Sequence, residues 1–193
     1  MKDLQKIYIR NQILTMPMKV NQELTYKNRK FNKRSDYDNI IKYVNNFIEG
    51  ENLNRFLVLP GLRDVGKTTI LYQVYEYLLI EKNITPQNIL YFSCDRLKRT
   101  GNADIFDVVN YYCESFHNSL IETLSSPVFI LIDEAQYDKE WALNGKLIFD
   151  GTKNIFMILS GSSALKLSSN PDAARRLLNI PIYPLTYSEH LKL

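Results

Sequence analysis

The chain has 193 residues, a formal net charge of +3, 45% apolar residues and 23% charged residues. These values fit an ordinary globular domain and exclude a mainly disordered chain, a collagen-like fibre and a disulfide-stapled miniprotein. No apolar run reaches the ~20 residues that a membrane-spanning helix needs, and the charged start MKDLQKIYIRNQ holds no signal-peptide core.

Met1 to Arg34 is polar, without a strong period, and contains the basic run Lys27-Asn28-Arg29-Lys30-Phe31-Asn32-Lys33-Arg34. It reads as a solvated arm or edge segment; a contact with nucleic acid or a membrane surface is the sharper alternative. From Ser35 the pattern turns helical, with Ile40, Ile41, Val44, Phe47 and Ile48 at spacings of three and four and Gly50 as the stop. Phe56–Leu59 is a short apolar strand, followed by a glycine-bearing turn and a helix over 67–82. A second strand is expected at Ile89–Phe92, a helix over 104–124, a third strand at Val128–Ile132 and a helix over 139–149. Ile155–Leu159 is the fourth strand, a small helix follows about 172–178, and Ile180–Tyr183, with Pro181, is a short edge strand. Apolar strands alternating with amphipathic helices predict a parallel α/β sheet covered on both faces.

Two cysteines, Cys94 and Cys113, without a CxxC pair predict free thiols in a reducing, cytoplasmic compartment. His117 and His190 lie far apart with no cysteine or acidic cluster at ligand spacing, which argues against a metal held by protein ligands alone.

Gly61-Leu62-Arg63-Asp64-Val65-Gly66-Lys67-Thr68 matches G-x-x-x-x-G-K-[ST], the phosphate-binding P-loop or Walker A pattern. Its glycines let successive N–H groups point into one concavity, and the helix that follows turns its positive end to the phosphates. Lys67 is expected on the β- and γ-phosphates, Thr68 on Mg²⁺ and Thr69 on the α-phosphate. Asp64 is unexpected in an anion site; it can point outward, with Arg63 offsetting it.

Val128 to Ile132 runs into Asp133-Glu134, a Walker B pattern. Asp133 is expected to hold the Mg²⁺ shell and Glu134 to orient and deprotonate the attacking water. Ser160, where the fourth strand runs into Gly161-Ser162-Ser163, fits a sensor of the γ-phosphate, while Ser162 and Ser163 read as caps of a following helix. Arg176, beside Arg175, is either a transition-state arginine, in cis or from a neighbouring subunit, or part of a solvated surface. Asp95 reads as a turn or cap, and Trp141 as a packing residue rather than a partner anchor.

Together these residues resemble the archaeal-ATPase-like group of AAA-type ATPases. The resemblance rests on Gly61-Leu62-Arg63-Asp64-Val65-Gly66-Lys67-Thr68-Thr69, Ile132-Asp133-Glu134-Ala135-Gln136, Ser160-Gly161-Ser162-Ser163, Arg176 and Pro184-Leu185-Thr186-Tyr187-Ser188-Glu189-His190-Leu191, in that order. It implies a P-loop NTPase core of the additional-strand, AAA/RecA-like type: a three-layer α/β sandwich with strand order 5-1-4-3-2. It also implies Mg²⁺-dependent ATP hydrolysis, with Gln136 near the catalytic water. Asp64 stands where a basic residue is usual, and Arg175 where a glycine is usual. Family members generally continue into a helical lid and a further domain. The expected layout is therefore an edge segment over 1–34 and an ATPase core over 35–193 without the lid, which binds ATP better than it hydrolyses it. Expected partners are ATP or ADP, a protein of unspecified kind and further copies in an oligomer, with no membrane. A nucleotide-gated interaction module and a DNA-associated ATPase are the alternatives to a free-standing hydrolase.

Overall fold

The computed structural model describes residues 1–162, 165 and 175–186. Among the described residues, thirteen α-helices and strands, joined by shorter helical turns, build the domain around a five-stranded parallel sheet. In chain order they are α1 (Asp3–Glu23), the two-residue strands β1 (Thr25–Tyr26) and β2 (Arg29–Lys30), α2 (Ser35–Ile48), β3 (Phe56–Pro60) and α3 (Lys67–Glu76). There follow β4 (Ile89–Ser93), α4 (Cys94–Thr100), α5 (Ile105–His117), β5 (Val128–Asp133), α6 (Trp141–Gly151), β6 (Ile155–Gly161) and β7 (Leu178–Asn179). The sheet order is β4-β5-β6-β3-β7, and every neighbouring pair is parallel. This is the expected 5-1-4-3-2 order.

The central strands are apolar runs buried on both faces, as a parallel sheet requires. Alternate side chains go to opposite layers. Phe56 and Val58 of β3, with Leu90 and Phe92 of β4, pack beneath α5 and α6. Leu57 and Leu59, with Ile89 and Tyr91, pack beneath α2 and α3. Trp141 is 2% exposed and belongs to the α5–α6 layer, as expected of a packing residue.

Several local expectations are corrected. The segment over 1–34 is not a solvated arm: α1 is a 21-residue helix whose Ile9 and Ile13 join one layer and Met16 and Val20 the other. It crosses the β4 edge of the sheet and covers it. Pro17 inside this helix, and exposed apolar residues on its outer side, obscure the period. The helix expected over 104–124 stops at His117, because Asn118 takes a left-handed conformation (φ 49°). Ile121–Thr123 forms a separate 3₁₀ turn. The α3 helix widens into a π-helical turn over Tyr77–Glu81. At the other sheet edge, β7 is centred earlier than expected, but Ile180 and Ile182 still donate to Val58 and Pro60 of β3, at 2.9 and 2.8 Å. Of the small helix expected about 172–178, residues 172–174 lie outside the described residues, as do 187–193, and the described part, 175–178, is a turn that runs into β7 instead of a helix.

Candidate functional site

The site forms at the carboxyl ends of β3, β4, β5 and β6. β3 ends at Pro60, the loop over 61–66 turns, and α3 opens at Lys67. Gly66 has φ 91°, a left-handed conformation that only glycine adopts without strain. Asp64 has φ 61° and is exposed. Aspartate is among the few residues with a side chain that tolerate this region, which gives its presence in the loop a conformational reason.

The Lys67 ammonium is buried and donates to the carbonyls of Gly61, at 3.1 Å, and Leu62. Burial lowers its pKa, against the carboxylates of Glu134, Asp133 and Asp64. Thr68 Oγ1 donates to Asp133 Oδ2 at 2.8 Å, joining the start of α3 to the end of β5. The same carboxylate oxygen accepts from the Tyr91 hydroxyl of β4 at 3.2 Å, and Tyr91 in turn meets the Tyr72 hydroxyl of α3 at 3.3 Å. Asp133 Oδ1 accepts from Ser160 Oγ of β6 and from the Glu134 amide, the latter at 3.0 Å. Both oxygens of this 5%-exposed carboxylate are thus fixed by hydrogen bonds from three elements and the adjacent Glu134 amide.

Glu134 itself has φ 54°, so the chain turns sharply where β5 ends. Its carboxylate accepts from Gln136 Nε2, and Gln136 Oε1 accepts from the Ser162 amide at 3.1 Å. One glutamine amide therefore links the end of β5 to the end of β6. Ser162 is engaged here through its backbone; Ser163 lies outside the described residues.

Three hollows surround these groups. One of about 350 Å³ lies over the loop and is lined by Arg63, Asp64, Gly66 to Thr69 and Glu134. A cleft of about 510 Å³ continues past Asp133 and Tyr91 to Tyr8 and Gln12 of α1 and Arg96 of α4. Burial pushes the Tyr8 phenol up to about 12, and its oxygen accepts from the Ser93 amide at 3.0 Å. On the other side of Gly66 and Thr69 is a cavity of about 140 Å³ bounded by Phe31, Ile70, Gln73 and Leu185. Arg34 borders it and donates to the carbonyls of Val65, at 2.7 Å, and Tyr183, at 2.9 Å.

The structure thus brings together Gly61 to Thr69, Asp133, Glu134 and Ser160. It does not bring Arg176 to them. That residue binds Asp150 at 2.6 Å, and Leu178, two residues on, pairs with Leu57 near the start of β3. Arg176 therefore lies toward the amino ends of the strands, away from the site at their carboxyl ends, and of the alternatives open for it this placement speaks against a role in cis. Tyr91, Tyr72, Tyr8 and Arg34 were not singled out in the sequence, since tyrosine in an apolar strand reads as core. Asp95 binds the Ser93 hydroxyl and pairs with Arg99 at 3.3 Å. In the basic run, Lys30 pairs with Glu76 at 2.7 Å, Lys33 with Glu81 at 3.2 Å and Arg34 with Asp36 at 3.3 Å. Among the described residues, no helix is long and apolar enough to cross a membrane.

The sequence profile of the AAA domain matches residues 53–191. The chain belongs to the AAA domain family. An uncharacterized protein of Methanocaldococcus jannaschii, MJ1637, is 41% identical to this AAA domain over 186 residues, which is 96% of the chain and 37% of that protein. An uncharacterized protein of Haemophilus influenzae is 27% identical over 158 residues, covering 77% of the chain and 36% of its own length. The chain thus spans little more than a third of these curated relatives. Among solved structures, Aeropyrum pernix ORC2 in its ADP form superposes with a TM-score of 0.53 at 14% identity, over 83% of this chain and 50% of that one. C. elegans PCH-2 gives 0.51 at 14% identity, over 90% and 48%. At such identities these two establish the fold alone, that of an AAA-type P-loop core.

Proposed function

We propose that this AAA domain binds ATP with Mg²⁺ and hydrolyses it to ADP and phosphate. The observation that carries this reading is the convergence on Asp133. Thr68, Tyr91 and Ser160 reach its carboxylate from three elements, and Glu134 stands directly beyond it. The Thr68 hydroxyl and Asp133 carboxylate are hard oxygen donors 2.8 Å apart, the ligand type that Mg²⁺ takes when phosphates and water complete its shell. Bound there, Mg²⁺ would neutralise charge on the β- and γ-phosphate oxygens.

The chain's own groups supply the rest. The loop amides and the start of α3 cradle the phosphates, and Lys67 moves from the Gly61 and Leu62 carbonyls to the β- and γ-oxygens. The base enters the apolar cavity beside Ile70 and Phe31. Glu134, freed from Gln136, accepts a proton from the water that attacks the γ-phosphorus as the bond to the β-phosphate oxygen breaks. Ser160 reports the γ-phosphate to Asp133. Arg176, half-buried beside Asp150 toward the amino ends of the strands, is left a role in trans. A protein partner and an oligomer belong to the same proposal, and placement in the cytoplasm goes with it. The intramolecular pairing of Lys30, Lys33 and Arg34 weighs against the DNA-associated reading.

Nucleotide titration and phosphate release test it. Lys67→Ala is expected to abolish binding. Glu134→Gln is expected to bind ATP normally and turn it over ~10²–10⁴-fold more slowly. Unchanged phosphate release from both variants sinks the proposal.

A further inference from the structure

Helix α1 is apolar on two opposite sides. Its inner stripe of Ile9, Ile13, Met16 and Val20 is buried in the core. Its outer residues Leu4, Ile7, Leu14 and Met18 are 64%, 53%, 70% and 69% exposed. At about 100° per residue, the two stripes are centred roughly 180° apart. Scattered exposed apolar residues are normal, but a stripe aligned along one helix marks an interface.

The spacing specifies the kind of interface. With Asn11, the outer positions Leu4, Ile7, Asn11, Leu14 and Met18 step by three, four, three and four residues. This is the a/d repeat of a coiled-coil seam, with asparagine at the central a position.

We infer that this stripe is the seam of a parallel, two-fold dimer of the chain, formed by α1 against α1. Asn11 favours a second copy as the occupant: against an apolar partner its amide would be desolvated unpaired, whereas across the two-fold it meets another Asn11. The charges along the rims favour the parallel direction. In that register Asp3 flanks Tyr8 of the second copy and Arg10 flanks Thr15, so no like charges oppose. An antiparallel seam centred on Asn11 would bring Arg10 against Arg10. The contact is short. A helix of 21 residues is about 31 Å long, and one seam of that length buries less than the ~800 Å² per partner of a standard interface. The dimer is therefore expected to be a weak, concentration-dependent one. Tyr8 and Gln12 of the same helix line the large cleft, so pairing also fixes one wall of the candidate nucleotide site.

Sedimentation equilibrium on the chain, from about 1 to 200 μM, tests the inference. The chain is expected to pass from monomer to dimer across that range. The double variant Ile7→Glu/Leu14→Glu is expected to shift the midpoint upward by more than ~100-fold while keeping its circular dichroism and Tm, because both side chains are exposed. Leu4→Cys is expected to cross-link to its own copy under mild oxidation, with native Cys94 and Cys113 buried and silent. A monomer at every concentration overturns the dimer. A dimer in which Leu4→Cys fails to cross-link overturns the parallel seam. Loss of folding in the double variant shows the stripe covered from within the chain and overturns the inference outright.

Discussion

Asp133, the proposed Mg²⁺ ligand, is held from several sides. Four hydrogen bonds fix both oxygens, so its orientation is set before any ligand arrives. Tyr91 is the member of this group that touches no expected ligand, and its effect is on the aim of the carboxylate. Tyr91→Phe is expected to weaken the Mg²⁺–nucleotide complex about tenfold and to leave the metal-free nucleotide untouched. Titrations with and without chelator separate the two. Lys67, Thr68, Asp133 and Ser160 were legible in the sequence because their residue types stand at spacings that phosphate chemistry dictates. Tyr91 was not, since Ile-Leu-Tyr-Phe-Ser reads only as a buried strand. Arg176 stands apart from these groups because it enters β7 from the amino-end side of the sheet, beside the start of β3.

At the scale of elements, the four central strands were readable as apolar runs, and each lies where expected to within a residue or two. What hid α1 was a cancellation: two apolar stripes on opposite sides leave no net direction, and Pro17 argues against a helix. The reach of α5 was overestimated because no glycine or proline marks the stop, and Asn118 alone turns the chain. Close packing between α6 and β3 makes a measurable demand. A Cβ added at Gly145 would lie 2.3 Å from Phe56 Cζ. Gly145→Ala gains up to ~1 kcal/mol of helix propensity but overpacks a buried ring at a cost of ~1–3 kcal/mol. The variant is expected to melt several degrees lower, and Gly145→Ala combined with Phe56→Leu to recover part of the loss.

For the whole molecule, two helical layers and an edge helix leave both thiols inside. Burial raises the Cys94 pKa well above its usual value and pushes Cys113 up to about 12. The native protein is expected to resist thiol reagents at pH 8, and both cysteines to react promptly in denaturant. Fast labelling of the native chain would contradict this packing. The two-sided burial of the sheet was legible from composition and alternation, whereas the bridging of the two layers by α1 depends on contacts distant in sequence. That bridge has a consequence for biogenesis. On the ribosome α1 is made before β4 and α5, so the Ile9 and Ile13 part of its inner stripe has no mate until they have followed. Until then the nascent chain carries a helix greasy on both sides, and β4, when it appears, has an unpaired edge. The order of synthesis thus has α1 waiting for partners made after it, and the interval before it docks is when this domain is most exposed to aggregation.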